Sequence, residues 1–268
     1  VTVITDTPRH VGRRRKPQPS AIQQWWALSM RLITPALRNG TVATAALSPI
    51  VFTVGFYLPL KFVMSFQGVN YAQFLMPIIA LQALSFTALS AAMAAAMDRT
   101  EGMNDRLKTM PIRAGVPFAA RMSSNVFRLC ISLLVAVVCG YAIGFRFSLG
   151  VGQTIGFLSM ALLVGVALTM GGDAIGTLSA TPESTTQALT LPQLILGMLS
   201  TGFVPIASFP EWIHPFVRNQ PISLIANAMR DMTSGGVTWQ VLWPALVWTI
   251  GALFAFAGVS IWASTRRT

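Results

Sequence analysis

Residues 62–97 read FVMSFQGVNYAQFLMPIIALQALSFTALSAAMAAAM and contain no Asp, Glu, Lys or Arg. A helix needs about 20 apolar residues to cross about 30 Å of hydrocarbon. The stretch is too long for one crossing, so its first residues close a preceding span and the remainder forms another. Further uncharged windows lie at 39–60, 129–145, 147–172, 184–210 and 232–265. Together they predict an all-α membrane protein with six transmembrane helices, at about 44–66, 74–97, 126–145, 151–178, 187–206 and 240–264.

Composition agrees. Of 268 residues, 53% are hydrophobic and 10% charged, whereas soluble domains carry about 25% charged residues. So few charges do not cover a water-soluble globule, and so much apolar content excludes disorder. The net charge is +11. The basic residues lie between apolar segments and near the N-terminus, where they orient a chain in a bilayer, so no nucleic-acid partner is expected. Cys130 and Cys139 share one apolar segment, and His10 and His214 lie far apart. Neither a disulfide framework nor a metal site is expected.

With the N-terminus inside, the cytoplasmic face receives Arg9, Arg13, Arg14, Arg15, Lys16, Arg31, Arg38, Arg99, Arg106, Lys108, Arg113, Arg121, Arg128, Arg266 and Arg267. The outer face receives Lys61, Arg146, Arg218 and Arg230. This asymmetry predicts a multi-pass plasma-membrane protein with both termini cytoplasmic. Residues 1–16 are basic but lead into a tryptophan-bearing amphipathic stretch, so no cleavable leader is expected.

Residues 1–19 read as a basic cytoplasmic tail near lipid head groups, residues 20–38 as an amphipathic interfacial helix, and 39–268 as the membrane domain. In 20–38, Ile22, Trp25, Trp26, Met30, Ile33 and Leu37 recur at helical spacing, with Gln24, Arg31 and Arg38 on another face. Such a helix lies in the interface with its tryptophans at head-group depth, and Pro35 should end or bend it. It serves as an anchor or as a lever between a cytoplasmic partner and the first span.

Residues 98–117, DRTEGMNDRLKTMPIRAGVP, are the most polar stretch after the N-terminal region. They read as a topogenic loop or as a short docking helix for a soluble partner. Residues 205–237 follow the fifth span and mix Trp212, Phe216 and other apolar residues with Pro210, Pro215, Arg230 and Asp231. Two short helices re-entering the outer leaflet fit this pattern, either as a plug or as an outer gate using Trp212, Phe216 and Arg230.

Lys61, Arg128 and Arg146 are expected to snorkel from span ends. Asp173 follows Gly171 and Gly172 and is expected to pair with Arg128 or with an arginine of the inner loop. Small residues at 90–96 (SAAMAAA) and at Gly165, Gly171, Gly172 and Gly176 permit close helix approach. No GxxxxGK[ST] loop, GxSxG or HExxH occurs. No catalytic residue is assigned, and any uphill work must draw on a partner or an ion gradient.

The layout resembles the permeases of ABC-2 type exporters. Arg99, Gly102, Asp105, Arg106, Leu107 and Pro111 stand in the order and spacing of that family's motif after the second span, with departures at Thr100 and Met103. QPISLIANAMRDM (220–232) resembles the family's outer signature. CGYAIGFRF (139–147) and FPEWIHPFVRNQPIS (209–223) resemble the daunorubicin-resistance permeases of actinobacteria, especially mycobacterial members. The resemblance implies a second ABC-2 permease, commonly non-identical, and two cytoplasmic ATPase subunits that hold ATP and Mg, with no cofactor on this chain.

It further implies docking through Arg99, Gly102, Asp105, Arg106, Leu107 and Pro111, seconded by the interfacial helix with Trp25, Trp26 and Arg31. The expected cargo is hydrophobic or amphipathic: a cell-envelope lipid such as phthiocerol dimycocerosate, or a drug. Phe86, Met93, Leu194 and Met198 are expected to line its cavity. A proton-coupled drug antiporter and an intramembrane lipid-modifying enzyme are the alternatives, each of which needs more membrane-embedded acids or histidines than this chain supplies.

Overall fold

The structure, a computed structural model, describes residues 20–38, 40–65, 70–103, 106, 109, 112, 113, 115–203 and 205–265. The basic tail and three residues of the docking motif, Asp105, Leu107 and Pro111, lie outside the described residues. All regular structure among the described residues is helical.

Ser20 opens the first helix, α1 (Ala21–Arg38), through a reciprocal cap. The Ser20 N–H donates to Gln23 Oε1 (3.0 Å) and the Gln23 N–H to Ser20 Oγ (3.3 Å). The helix runs on past Pro35 to Arg38, so the proline does not end it. The long helices follow: α2 (Thr41–Ser65), α3 (Tyr71–Thr100), α4 (Val116–Ala142) and α5 (Val151–Leu178). Next come α6 (Pro182–Met198), short 3-10 turns at Ile206–Ser208 and Glu211–Ile213, α7 (His214–Asn219), α8 (Pro221–Ser234) and α9 (Trp239–Thr265).

Five of these are long and apolar enough to cross a membrane: Ala43–Phe62 within α2, all of α3, α4 and α5, and Trp239–Trp262 within α9. The segment read as a span at 187–206 is shorter than expected. Its helix begins at a Thr181–Ser184 capping box and stops at Met198, and seventeen residues rise only about 26 Å. The chain breaks there because Thr201 and Gly202 bond to Ser223, Asn227 and Arg230 of α8 rather than continuing α6.

The third span also starts earlier than its uncharged window. Pro117 sits in the first turn of α4, where its missing N–H costs nothing. Arg121, counted as a loop residue, therefore lies inside the helix, and Arg128 lies about three turns from its start rather than near its end.

Helices α3 and α5 form the centre and share the most extensive contact, while α2 and α9 pack at the periphery and stay largely exposed. Two small-residue stripes explain the centre. Gly172 and Gly176 on α5 lie directly against Ala88 and Ala92 on α3, so the backbones approach closely within one chain. Around this seam a continuous apolar core includes Leu75, Met76, Ile79, Leu84, Leu129, Phe157, Ile225 and Met229. Phe145, Phe147 and Phe157 meet edge-to-face at the end where α4 finishes and α5 begins (Phe145–Phe147 4.8 Å, Phe147–Phe157 5.5 Å).

Candidate functional site

At the end carrying the 98–117 loop, Arg99 and Gly102 set the loop's root. Arg99 Nη1 donates to the carbonyls of Thr177 (2.9 Å) and Ser179 (3.1 Å), capping the last turn of α5 from the last turn of α3. Arg99 thus braces the loop from within. Gly102 adopts φ +68°, a left-handed turn that other L-residues adopt only at a cost. The Arg106 N–H then donates to the Gly102 carbonyl (3.2 Å), and Arg106 itself is exposed.

Helix α1 is fastened to the same end. Trp25 Nε1 donates to Ser123 Oγ on α4 (3.0 Å), and Gln24 Oε1 accepts the Arg113 N–H (3.4 Å). Trp26 and Arg31 are exposed on its outer side. The helix therefore touches both the base of α4 and the incoming loop.

A cavity of about 430 Å³ opens between α3, α5, α6, α8 and α9. Its wall is almost wholly apolar, with Leu81, Leu168, Leu196, Ile222, Trp248 and Phe256 among the lining. Gln82 and Gln193 stand across it, Gln193 Nε2 donating to Gln82 Oε1 at 3.5 Å. The neighbouring Ser85 and Thr249 hydroxyls donate to carbonyls of their own helices. The two amides are thus the groups best able to bond a guest in this wall. The volume falls in the range of small-molecule pockets.

None of the four expected cavity residues lines this space. Phe86 faces α2 and packs on the Phe52 ring (5.0 Å between centroids), Met93 is half-buried elsewhere on α3, and Leu194 and Met198 face outward on α6. Both helices do contribute to the wall, but Phe86 and Met93 lie beside the lining face of α3, and Leu194 and Met198 on the far face of α6. Gln82 and Gln193 were missed, although uncharged amides within apolar runs are a readable signal.

A second cavity, about 370 Å³, lies at the basic end between α1, α3, α4 and α5. Arg121, Ser124, Asn125 and Arg128 line it from α4, at the i, i+3, i+4, i+7 spacing of one helix face. Arg121 Nε meets Asp173 Oδ1 at 3.1 Å, and Ser260 Oγ donates to Asp173 Oδ2 at 3.1 Å. Asp173 has thus found a partner counted among the inner-loop arginines. Arg128 does not snorkel: it is 5% exposed and its Nη2 donates to the Thr87 carbonyl and to Ser90 Oγ. Lys61 and Arg146 are exposed beside Tyr57 and Tyr141, in keeping with snorkelling.

At the far end, Arg230 is a strut rather than an open gate residue. Its guanidinium donates to the carbonyls of Phe74 (3.3 Å), Thr201 (3.0 Å) and Gly202 (3.4 Å) and to Asn227 Oδ1 (2.8 Å), and lies 3.8 Å over the Phe74 ring. Burial lowers its pKa to about 10, still well above neutrality, so the charge persists. Burial raises the pKa of the neighbouring Asp231 while Arg230 opposes the shift. Asn227 Oδ1 also accepts the Thr201 hydroxyl (3.1 Å), and Ser223 Oγ accepts the Thr201 N–H (3.0 Å). Trp212 and Phe216 are exposed on the same region.

Residues 58–266 match the family model of the ABC-2 family transporter protein. The chain belongs to the ABC-2 transporter family. This ABC-2 protein is 39% identical over 257 residues to the doxorubicin resistance ABC transporter permease protein DrrB of Mycobacterium tuberculosis, covering 91% of this chain and 88% of that one. It is 30% identical over 225 residues to the probable doxorubicin resistance permease DrrC of the same organism, covering 82% and 80% respectively. It is 23% identical over 215 residues to the daunorubicin resistance permease DrrB1 of Streptomyces coeruleorubidus. The ABC-2 assignment agrees with the multi-pass helical architecture and with the resemblance stated above.

Proposed function

We propose that this chain is the membrane-embedded permease subunit of an ATP-driven exporter of amphipathic drugs. It crosses the plasma membrane six times with both termini cytoplasmic, α6 and its following turn making the fifth crossing. Two cytoplasmic ATPase subunits dock on residues 98–117, through Arg106 together with Asp105, Leu107 and Pro111, and on the polar face of α1 that carries Arg31. Those subunits hold ATP and Mg. A second, non-identical permease packs beside this one.

The observation that carries the reading is the apolar cavity with its single amide pair. A planar aromatic body fits an apolar wall, and Gln82 and Gln193 offer donors and acceptors to its polar substituents. The names of the three relatives point to anthracycline resistance, and none mentions a lipid, so a drug is favoured over phthiocerol dimycocerosate as cargo. The pairing of Asp173 with Arg121 and Ser260 removes it as a free acid for a proton-coupled antiporter or a lipid-modifying enzyme, either of which would need several acids on one pathway.

The test is ATP hydrolysis and vesicle uptake of doxorubicin by the complex reconstituted with its ATPase. Gln82→Leu with Gln193→Leu is expected to raise the KM for doxorubicin while basal hydrolysis is retained. Charge reversal at Asp105 and Arg106 is expected to abolish drug stimulation in a folded permease. Uptake without any ATPase, or unchanged stimulation in both variants, would overturn the reading.

A further inference from the structure

We propose that the polar cavity at the basic end binds the zwitterionic head group of an aminophospholipid, with its phosphate on Arg128 and its ammonium on Asp98. The argument starts from charge. Arg128 is 5% exposed, its Nε has no hydrogen-bond partner, and no carboxylate pairs with it among the described residues. A buried cation bonded only to a carbonyl and a hydroxyl remains uncompensated, and an anion brought to it gains a charge-assisted hydrogen bond. Ser124 and Asn125 line the same wall and extend the donor set.

The cavity is not simply an anion site. Asp173 is held by Arg121 and Ser260. Asp98 lines the cavity and has no hydrogen bond or ion pair among the described residues. A guest that offers a phosphate alone leaves Asp98 with only the attraction of Arg121, which is already engaged by Asp173; a guest that offers phosphate and ammonium a few atoms apart satisfies both.

The remaining wall says where that guest comes from. Leu32, Pro35 and Ala36 of α1 close one side. The same amphipathic helix exposes Ile22, Trp26, Met30 and Leu37, the composition of a helix lying at the membrane interface. The cavity therefore lies beside a helix suited to head-group depth, within reach of an inner-leaflet lipid. This site is separate from the apolar cavity and does not depend on what cargo is exported.

The experiment uses the full-length protein in detergent, with thermal unfolding and native mass spectrometry against added phosphatidylethanolamine, phosphatidylcholine, phosphatidylglycerol and inorganic phosphate. Phosphatidylethanolamine is expected to be retained about tenfold or more over phosphatidylglycerol, the size of effect expected of one charged hydrogen bond. Phosphatidylcholine, lacking an ammonium N–H, is expected to bind more weakly than phosphatidylethanolamine. Arg128→Gln is expected to abolish retention of both phosphatidylethanolamine and phosphatidylglycerol. Asp98→Asn, at a less buried position, is expected to fold and to bring the two lipids to parity, so the proposal stays decidable if the Arg128 variant is unstable. Equal retention of all lipids by the unchanged protein, an unchanged preference in Asp98→Asn, or stabilisation by inorganic phosphate alone equal to that by the lipid would overturn it.

Discussion

Gly176 on α5 lies so close to Ala92 on α3 that a Cβ placed on it would stand 2.2 Å from the Ala92 carbonyl oxygen. Backbone cannot swing aside as a side-chain end can. Gly176→Ala is therefore expected to force the two central helices apart and to destabilise the bundle by about 1–3 kcal/mol. At Gly165 the added Cβ would instead meet a Leu129 methyl at 2.9 Å, and Gly165→Ala should be the milder change. Thermal unfolding of the two variants in detergent checks the order; a Gly165 variant less stable than the Gly176 variant would contradict it.

Gly102 makes a different demand. Nothing lies within 4 Å of a Cβ added there, so only its φ of +68° resists substitution. Gly102→Ala is expected to cost about 1–2 kcal/mol in the turn and to leave the membrane helices intact. The expected readout is weaker drug-stimulated ATP hydrolysis with an unfolding temperature lowered by no more than a few degrees. Gly102→Asn should lose less, because asparagine tolerates the left-handed region.

Arg230 supports the outer end. Arg230→Ala removes donors from three carbonyls and from Asn227 and is expected to cost about 2–4 kcal/mol. Arg230→Lys should rescue little, since an ammonium does not reproduce the planar fork. Hydrogen exchange is expected to speed up in residues 199–203 and 221–234 before it changes in α3 or α5. Uniform acceleration throughout the chain would argue against a local strut.

Orientation is open to direct test. In a variant lacking Cys130 and Cys139, a cysteine at Glu101 is expected to react with a membrane-impermeant thiol reagent only after the cells are opened. A cysteine at Trp212, an exposed position on the other end, is expected to react in intact cells. The opposite pattern would invert the topology.

Much of this architecture was legible in the chain. The span read at 151–178 coincides with α5, because Gly150 and Ser179 flank a long apolar run with a single charge, Asp173. The small-residue stripes did mark close helix contact. The start of α4 was not found, because Arg121 and Arg128 were weighed as topogenic charges. Their spacing with Ser124 and Asn125 was the missed cue: polar residues on one helix face point inward together. The end of α6 was less accessible, since Thr201 and Gly202 leave the helix to meet Ser223, Asn227 and Arg230, residues more than twenty positions away. The cavity lining depends on which face of α3 turns towards α6, and apolar residues on both faces conceal that choice.

The link from Trp25 to Ser123 reaches beyond the protein itself. On the proposed placement of α1 at the lipid–water boundary, a helix pinned to the foot of a crossing helix would shift with that boundary. Thinning, thickening or crowding of one leaflet would then press on the machine from the side, so the state of the surrounding bilayer becomes a mechanical input alongside any nucleotide burned beneath it.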